Sequence, residues 1–201
     1  VLKTSRSVGG PLDERTPVDR GNLARGPYVW AKAEAEREAV ENGSALGLTV
    51  RVVRPGPLVD FGAYEPPGRL GRELGPVFLA VGPRSGRLSL CDVRTAATVI
   101  RATVEDVDAA PPIVNLVEPE APTRAELLSL WLEKRPDLRS IWLPAWLLAV
   151  LSPPARLAQK IVLPRSTPID LAAAFASERY DATVAAQAIQ RAQSAACSSS
   201  L

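Results

Sequence analysis

Tyr28 and Lys32 are the two residues of this sequence whose types and spacing are best suited to chemistry. They lie four residues apart in an Ala- and Glu-rich segment, so they share one face if that segment is a helix. A free phenol has a pKa of about 10 and is a weak base at neutral pH, but a nearby ammonium favours the phenolate. A tyrosine tuned in this way can take up a substrate hydroxyl proton while hydride leaves the adjacent carbon. The same spacing also arises by chance, and it then means an exposed lysine beside a half-buried tyrosine.

The elements that must position this pair can be predicted from turn signals and periodicity. A helix is predicted to begin at Pro27, run through 28–40 and end at the Asn-Gly stop at 42–43. Residues 48–54 alternate and are rich in β-branched side chains, which predicts a strand closed by Pro-Gly-Pro at 55–57. A helix followed so closely by a strand favours a parallel sheet of the βαβ type.

The middle of the chain predicts a loop, a helix and a strand. Residues 60–87 are rich in Gly and Pro and are predicted to form a loop that carries specificity. Asp92 is predicted to cap a helix that reaches about Val104, and residues 113–117 read as a short strand.

The last third of the chain predicts mainly helices. Thr123 and Glu126 have the spacing of a capping box before an apolar run. The segment 141–164 is broken by prolines and is predicted to form short buried helices. A final helix is expected over about 183–196, followed by a disordered tail at 197–201.

Composition excludes several classes of function. The net charge is +2 and no lysine-rich run is present, which argues against a nucleic-acid binder. The chain has no histidine, so a Ser-His-Asp or Cys-His triad is impossible within it and no metal site is predicted. Cys91 and Cys197 are far apart and imply no disulfide framework, which makes a cytoplasmic location the default. The longest apolar run, 145–151, is far shorter than the roughly 20 residues of a membrane span, although interfacial contact with a membrane stays open.

Five landmarks follow one another in a fixed order over roughly residues 4–130. They are the serine segment at 4–10, the acidic-Thr-Pro segment at 12–17, the Tyr–Lys pair at 28–32, the Arg-Pro-Gly strand end at 54–56, and the Asp-Val helix start at 92–93 followed by the strand at 114–117. This order resembles the extended short-chain dehydrogenase/reductase family, the NAD-dependent epimerases and dehydratases.

The resemblance implies a catalytic role for three residues. Tyr28 would be the acid/base, and Lys32 would hydrogen-bond the nicotinamide ribose and tune Tyr28. Ser5, which stands three residues before Val8 as in the family pattern, would bond the reacting oxygen of the substrate. Ser7 competes with Ser5 for that role.

The resemblance also implies cofactor and substrate contacts. Pro55 and Gly56 would lie beside the nicotinamide of NAD or NADP, where a chain without bulky side chains can approach closely. Arg84 or Arg87 would grip a phosphate of the substrate, because the guanidinium fork matches phosphate oxygens. Solvated loop arginines are the alternative for both residues.

The sequence departs from the family pattern at several points. Gly9 replaces the usual Tyr of the serine segment, and Arg94 replaces the expected Ala. The Gly-x-x-Gly-x-x-Gly turn that holds the pyrophosphate at a helix start does not occur. We therefore expect the dinucleotide-binding front half of the fold to be missing, as in a natural truncation or an incomplete sequence.

Together these observations predict an α/β chain, the rear part of a Rossmann-like parallel sheet with a small, mainly helical substrate-binding domain. The expected divisions are a dinucleotide-domain remnant at 1–60, a substrate-binding region at 61–196 and the tail. The expected activity is NAD(P)-dependent epimerase/dehydratase chemistry on a nucleotide sugar. A hydroxysteroid or small-alcohol dehydrogenase of the same family, or a non-catalytic remnant or binding module, is the alternative. Monomer and homodimer both stay open.

Overall fold

The computed structural model describes residues 8–19, 27–144, 146–148, 150–154, 175 and 178–198. Its helices are α1 (Pro27–Ala45), α2 (Val93–Glu105), α3 (Arg124–Lys134) and α4 (Thr183–Ser198), with further helical residues at 146–148 and 150–154. Its strands are β1 (Val52–Pro55), β2 (Leu58–Val59), β3 (Gly71–Leu74), β4 (Val77–Val81), β5 (Cys91–Asp92), β6 (Ile113–Leu116) and β7 (Arg139–Leu143).

The predicted class is confirmed at its coarse level, because the structure mixes helices with small, partly parallel sheets. Two compact units divide the chain. The first contains the described residues up to Leu58, those of 89–120 and those from Glu178 onward. The second contains Val59–Leu88 and the described residues of Ala121–Ser177. These units are interleaved along the sequence, and the consecutive domain ranges 1–60 and 61–196 stay a prediction.

The first unit is built on the parallel pair β1–β6. Their register runs from Val52 opposite Ile113 to Pro55 opposite Leu116. Helix α2 lies between these strands in the sequence, as a parallel connection requires. Helices α2 and α4 contribute to the core around β6, and alanines of α4 make a close approach of helix and sheet feasible. The buried residues of this core are Cys91, Ala96, Val99, Val114, Leu116, Ala185, Ala188 and Ala192.

The end of α1 differs from its prediction. The helix continues past the Asn-Gly stop to Ala45. Gly47, two residues beyond the last helical residue, has a left-handed φ of +70°. The Leu48 amide donates to the Gly43 carbonyl at 2.8 Å and the Gly47 amide to the Ser44 carbonyl at 3.1 Å. This bond pair is the Schellman motif, so Gly47 and not Gly43 ends the helix.

The second unit contains a three-stranded sheet in the order β3–β4–β7. Strands β3 and β4 form an antiparallel hairpin, which turns at Gly75 with a φ of +58°. The prediction of a loop throughout 60–87 was therefore wrong. Gly and Pro dominate the composition of that segment, but residues 77–81 are five consecutive apolar residues, as in a buried strand.

Strand β7 also corrects a prediction. Residues 139–143 pair in parallel with β4, from Val77 opposite Arg139 to Val81 opposite Leu143. A buried helix had been expected from residue 141. The side chains of Ile141 and Trp142 favour a strand, and the segment forms one because it pairs with β4, about sixty residues earlier in the sequence.

Three helix starts agree with the sequence. Helix α1 begins at Pro27. Asp92 caps α2 and accepts a hydrogen bond from the Arg94 amide at 2.6 Å. Thr123 and Glu126 form both hydrogen bonds of the capping box at α3. At the other end of the chain α4 extends through Ser198, and residues 199–201 of the predicted tail lie outside the described residues.

No helix among the described residues is long and apolar enough to cross a membrane.

Candidate functional site

Helix α1 brings Tyr28 and Lys32 together, as their spacing predicted. The Lys32 Nζ atom lies 5.8 Å from the centroid of the Tyr28 ring, within the range of a cation–π contact. Tyr28 is 71% exposed and Lys32 is exposed as well. The phenol and the ammonium are therefore both accessible to a ligand from solvent.

Pro55 and Gly56 close strand β1. The Gly56 amide continues the ladder by donating to the Leu116 carbonyl at 2.9 Å. A Cβ atom on Gly56 would lie 2.6 Å from the Ser89 carbonyl oxygen and 3.3 Å from Cγ1 of Val117. The close approach that requires glycine here is made by the chain's own backbone, so a nicotinamide is not needed to explain this residue.

An ion pair that the sequence analysis missed connects α1 to β1. Arg54 donates to both carboxylate oxygens of Glu36, from Nη2 at 2.6 Å and from Nε at 3.0 Å. Its Nη1 lies 3.4 Å from Oδ1 of Asn115, its register partner on β6. The pair could have been anticipated from an arginine within a predicted strand of a parallel sheet. Such an arginine needs a carboxylate partner when other elements bury it.

The acidic-Thr-Pro segment is anchored on the same unit. Glu14 accepts a hydrogen bond from the Asn115 amide at 2.8 Å, so its carboxylate satisfies a backbone donor of β6. Leu12 is buried and bridges in parallel to Tyr180, just before α4. Asp181 lies just before α4, and its carboxylate accepts hydrogen bonds from the Thr183 amide at 2.9 Å and the Thr183 hydroxyl at 2.6 Å.

Ser5, the predicted third member of the catalytic group, lies outside the described residues, and so does its competitor Ser7.

The two candidate phosphate-binding arginines belong to the second unit. The Arg84 guanidinium carbon lies 5.3 Å from the centroid of the Trp142 ring. Arg87 is exposed, and its guanidinium donates to the Ala121 carbonyl. Each arginine thus has a contact within its own unit.

Arg124 is a buried charge of the second unit, and nothing in the sequence analysis pointed to it. Its side chain is 2% exposed. Nη1 donates to the carbonyls of Arg69 and Val81, each at 2.7 Å, and Nη2 to that of Phe175 at 3.3 Å. Burial, and secondarily the charge of Arg69, lowers the pKa of Arg124. The residue connects three backbone carbonyls from separate segments of the unit, which is a structural role.

The residues present fit one end of a dinucleotide better than the other. The exposed Tyr28 hydroxyl and Lys32 ammonium are suitable hydrogen-bonding groups for ribose hydroxyls. A pyrophosphate favours a helix start with free amides. The starts of α2, α3 and α4 are instead served by carboxylates or a capping box, namely Asp92, Thr123 with Glu126, and Asp181. These three starts do not fit a pyrophosphate.

Within the part of the chain that the structure describes, no group of three His, Cys, Asp or Glu side chains could hold a metal ion.

No model of a known protein family matches this chain, and no curated protein matches it. The chain is a mixed α/β protein whose candidate site is an exposed Tyr–Lys pair on a helix that is ion-paired to a parallel strand.

Proposed function

We propose that this chain is the acid/base-bearing rear part of an NAD(P)-dependent oxidoreductase of the epimerase/dehydratase type, built on a Rossmann-like sheet. Tyr28 would move the proton in a reversible hydride transfer from a substrate carbinol. The substrate class that we favour is a nucleotide sugar, and a hydroxysteroid or small alcohol is the alternative within this chemistry.

The observation that carries the proposal is the position of Lys32 beside Tyr28 on α1. In this pair the Lys32 Nζ atom lies 5.8 Å from the centroid of the Tyr28 ring, and both side chains are accessible to solvent. The parallel pair β1–β6, which follows α1 in the sequence, adds the kind of support on which such sites are built.

The chemistry assigned to the chain's own residues is limited and specific. The Tyr28 oxygen would accept the hydroxyl proton of the substrate in the oxidative direction and return it in the reverse direction. The Lys32 ammonium would donate a hydrogen bond to a ribose hydroxyl. NAD(P), when bound, supplies the hydride acceptor.

A second candidate is a non-catalytic remnant or binding module. The 71% exposure of Tyr28 favours it, because proton-transfer groups usually act in sites from which water is excluded. The carboxylates at the starts of α2, α3 and α4 favour it too, since they leave those starts unsuited to a dinucleotide phosphate.

Reduction of NAD and of NADP by the full gene product tests the proposal. Absorbance at the reduced nicotinamide band would be followed with three substrate sets, namely nucleotide sugars, hydroxysteroids and short secondary alcohols. Turnover with the first set supports the function as stated, and turnover with another set changes the substrate class. A redox-neutral epimerisation of nucleotide sugars gives no net reduction, so product analysis by chromatography belongs in the same assay. Absence of product in every set favours the non-catalytic candidate.

A further inference from the structure

Four polar residues are connected by hydrogen bonds in the first unit, with Asn115 contributing both its side-chain oxygen and its backbone amide; we call them the Arg54 network: Glu14, Glu36, Arg54 and Asn115. Glu36 binds Arg54 through two hydrogen bonds of 2.6 and 3.0 Å. Arg54 reaches Asn115, and the Asn115 amide donates to Glu14 at 2.8 Å. The network thereby joins α1, β1, β6 and the acidic-Thr-Pro segment.

The central ion pair is less exposed than the ion pairs that Arg37 makes with Glu34, Glu38 and Glu41 on the same helix. The side chains of Arg54 and Glu36 are 16% and 20% exposed, whereas Glu41, paired with Arg37 on the same helix, is 56% exposed. Exposed pairs contribute little to stability and fix little geometry. A partly buried pair with two parallel hydrogen bonds constrains both orientation and distance.

Glu36 stands on the face of α1 that carries the candidate site. It lies four residues after Lys32 and eight after Tyr28, so the three residues follow one another along one side of the helix. Arg54 immediately precedes Pro55 and Gly56 in β1. The ion pair therefore links the helix that bears the Tyr–Lys pair to the residue before the strand end.

We propose that Glu36 and Arg54 are positioning residues, which fix the rotation and axial setting of α1 on β1 and so decide where Tyr28 and Lys32 stand relative to Pro55 and Gly56. The consequence for turnover rests on the proposed function, whereas the setting of the helix does not. A rotation of α1 by one residue, about 100°, would carry Tyr28 away from its present direction. Much smaller displacements are already costly, because an error of about 1 Å in a reacting group can reduce a rate by about 100-fold.

The helix setting can be measured without any activity. Nitroxide labels at Ala31→Cys and Pro57→Cys, both exposed positions, would be introduced into the full gene product with Cys197→Ser. Electron paramagnetic resonance then gives the distance distribution between the N-terminal part of α1 and the segment that follows β1. We expect E36Q to shift or broaden that distribution. The matched control E41Q removes a carboxylate from the exposed pair of the same helix and should leave it unchanged.

A charge exchange keeps the test interpretable if E36Q folds poorly. The double variant E36R with R54E exchanges the two charges, and it should recover the parental distribution at least in part. A distribution that stays parental in folded E36Q would overturn the proposal, and so would equal changes in E36Q and E41Q.

Kinetics separate this proposal from the proposed function. In an active parent, E36Q should lower kcat by about 10- to 100-fold, because the reacting group is misplaced. KM should change less than kcat, and the melting temperature of E36Q should stay above the assay temperature. A parental kcat in E36Q, with Tyr28→Phe inactive, would overturn the positioning role. If the parent itself lacks turnover, the proposed function fails, and the label distances alone decide whether the pair sets α1.

Discussion

The Lys32 ammonium nitrogen lies 5.8 Å from the centroid of the Tyr28 ring, one helical turn further along α1. At this distance the cation is attracted by the electron-rich face of the ring. Both side chains remain exposed, so the contact is held by helix geometry and not by a surrounding core.

Replacement of Tyr28 by Phe removes one hydroxyl and keeps the ring. If Tyr28 is the acid/base, turnover by the full gene product should fall by about 10²–10⁴, the usual contribution of a positioned proton-transfer group. The melting temperature should not change, because the hydroxyl of this exposed residue is not part of the core. The measurement is kcat with a thermal melt.

The control is Tyr180→Phe, which deletes the same atom from a residue outside α1. It should retain turnover within a few-fold. A Tyr28→Phe protein with parental kcat and parental melt would remove Tyr28 from the mechanism and favour the non-catalytic candidate.

The 201-residue chain by itself should bind NAD and NADP very weakly. It lacks a Gly-x-x-Gly-x-x-Gly turn, and the starts of α2, α3 and α4 present carboxylates where a pyrophosphate would need free amides. Calorimetric titration should give no saturable heat below about 1 mM, a dissociation constant that corresponds to about −4 kcal/mol. Micromolar binding would contradict the absence of a phosphate site.

Arg124→Met should destabilise the protein strongly. The variant keeps much of the side-chain volume but leaves the carbonyls of Arg69, Val81 and Phe175 without the donors that serve them now. Each buried group left unsatisfied costs about 1–3 kcal/mol, so we expect a loss of about 3 kcal/mol in the free energy of unfolding.

Denaturant unfolding measures that loss, and Arg101→Met is the matched control. Arg101 is 58% exposed and pairs only with the equally exposed Glu105 among the ion pairs of the described residues. Its replacement should cost less than about 0.5 kcal/mol, as for surface substitutions in general. Equal costs for the two variants would refute the structural role of Arg124.

The two cysteines should differ in reactivity. Burial, with the negative charges of Glu118 and Asp92, raises the pKa of the Cys91 thiol to about 12. The thiolate is the reactive form, so Cys91 should be inert at pH 8, whereas Cys197 is exposed.

Iodoacetamide should therefore modify one thiol quickly in the folded chain and both in guanidinium chloride, as counted by mass spectrometry. In Cys197→Ser the fast reaction should disappear. Fast modification of Cys91 in the folded variant would contradict the burial of its thiol.

Glu126 should make stability depend on pH. Its hydrogen bonds with the Thr123 backbone and then with the Thr123 side chain lower the pKa of the carboxyl group. A carboxyl group whose pKa is lowered by folding contributes stability that is present above its unfolded pKa of about 4.3 and is lost as the pH falls through the folded value.

A glutamine at position 126 can still accept a hydrogen bond from the Thr123 backbone amide, but it does not titrate. E126Q therefore isolates the effect of the carboxylate charge. The melting temperature of the parent minus that of E126Q should decrease between pH 6 and pH 3. Exposed Glu120 offers the control E120Q, for which the difference should change less. A parent–E126Q difference that is constant with pH would contradict the role of the charge.

Helix starts and caps could be predicted from the sequence wherever they depend on residues close together in the chain. Pro27 begins α1, Asp92 caps α2, and Thr123 with Glu126 caps α3, because each interaction joins residues within about one turn of each other. The proximity of Tyr28 and Lys32 was readable for the same reason.

Contacts between distant segments were decided only by the tertiary structure. The hairpin of β3 and β4 was hidden by the composition of its segment, and β7 became a strand by pairing with β4. Neither outcome follows from periodicity, because a short apolar run suits a strand or a helix until a partner is present.

The features of the candidate site also fall into those predicted from local sequence and those that depend on tertiary contacts. The sequence by itself predicted the start of α1, the shared face of Tyr28 and Lys32, and a strand over 48–54, of which the structure has β1 at Val52–Pro55. Only the tertiary structure decided that Glu36 meets Arg54, that Arg54 reaches Asn115, and that Gly56 must be glycine because Ser89 approaches it. The physical reason is that a charge in a strand demands a partner, but only the packing of the chain selects which carboxylate supplies it.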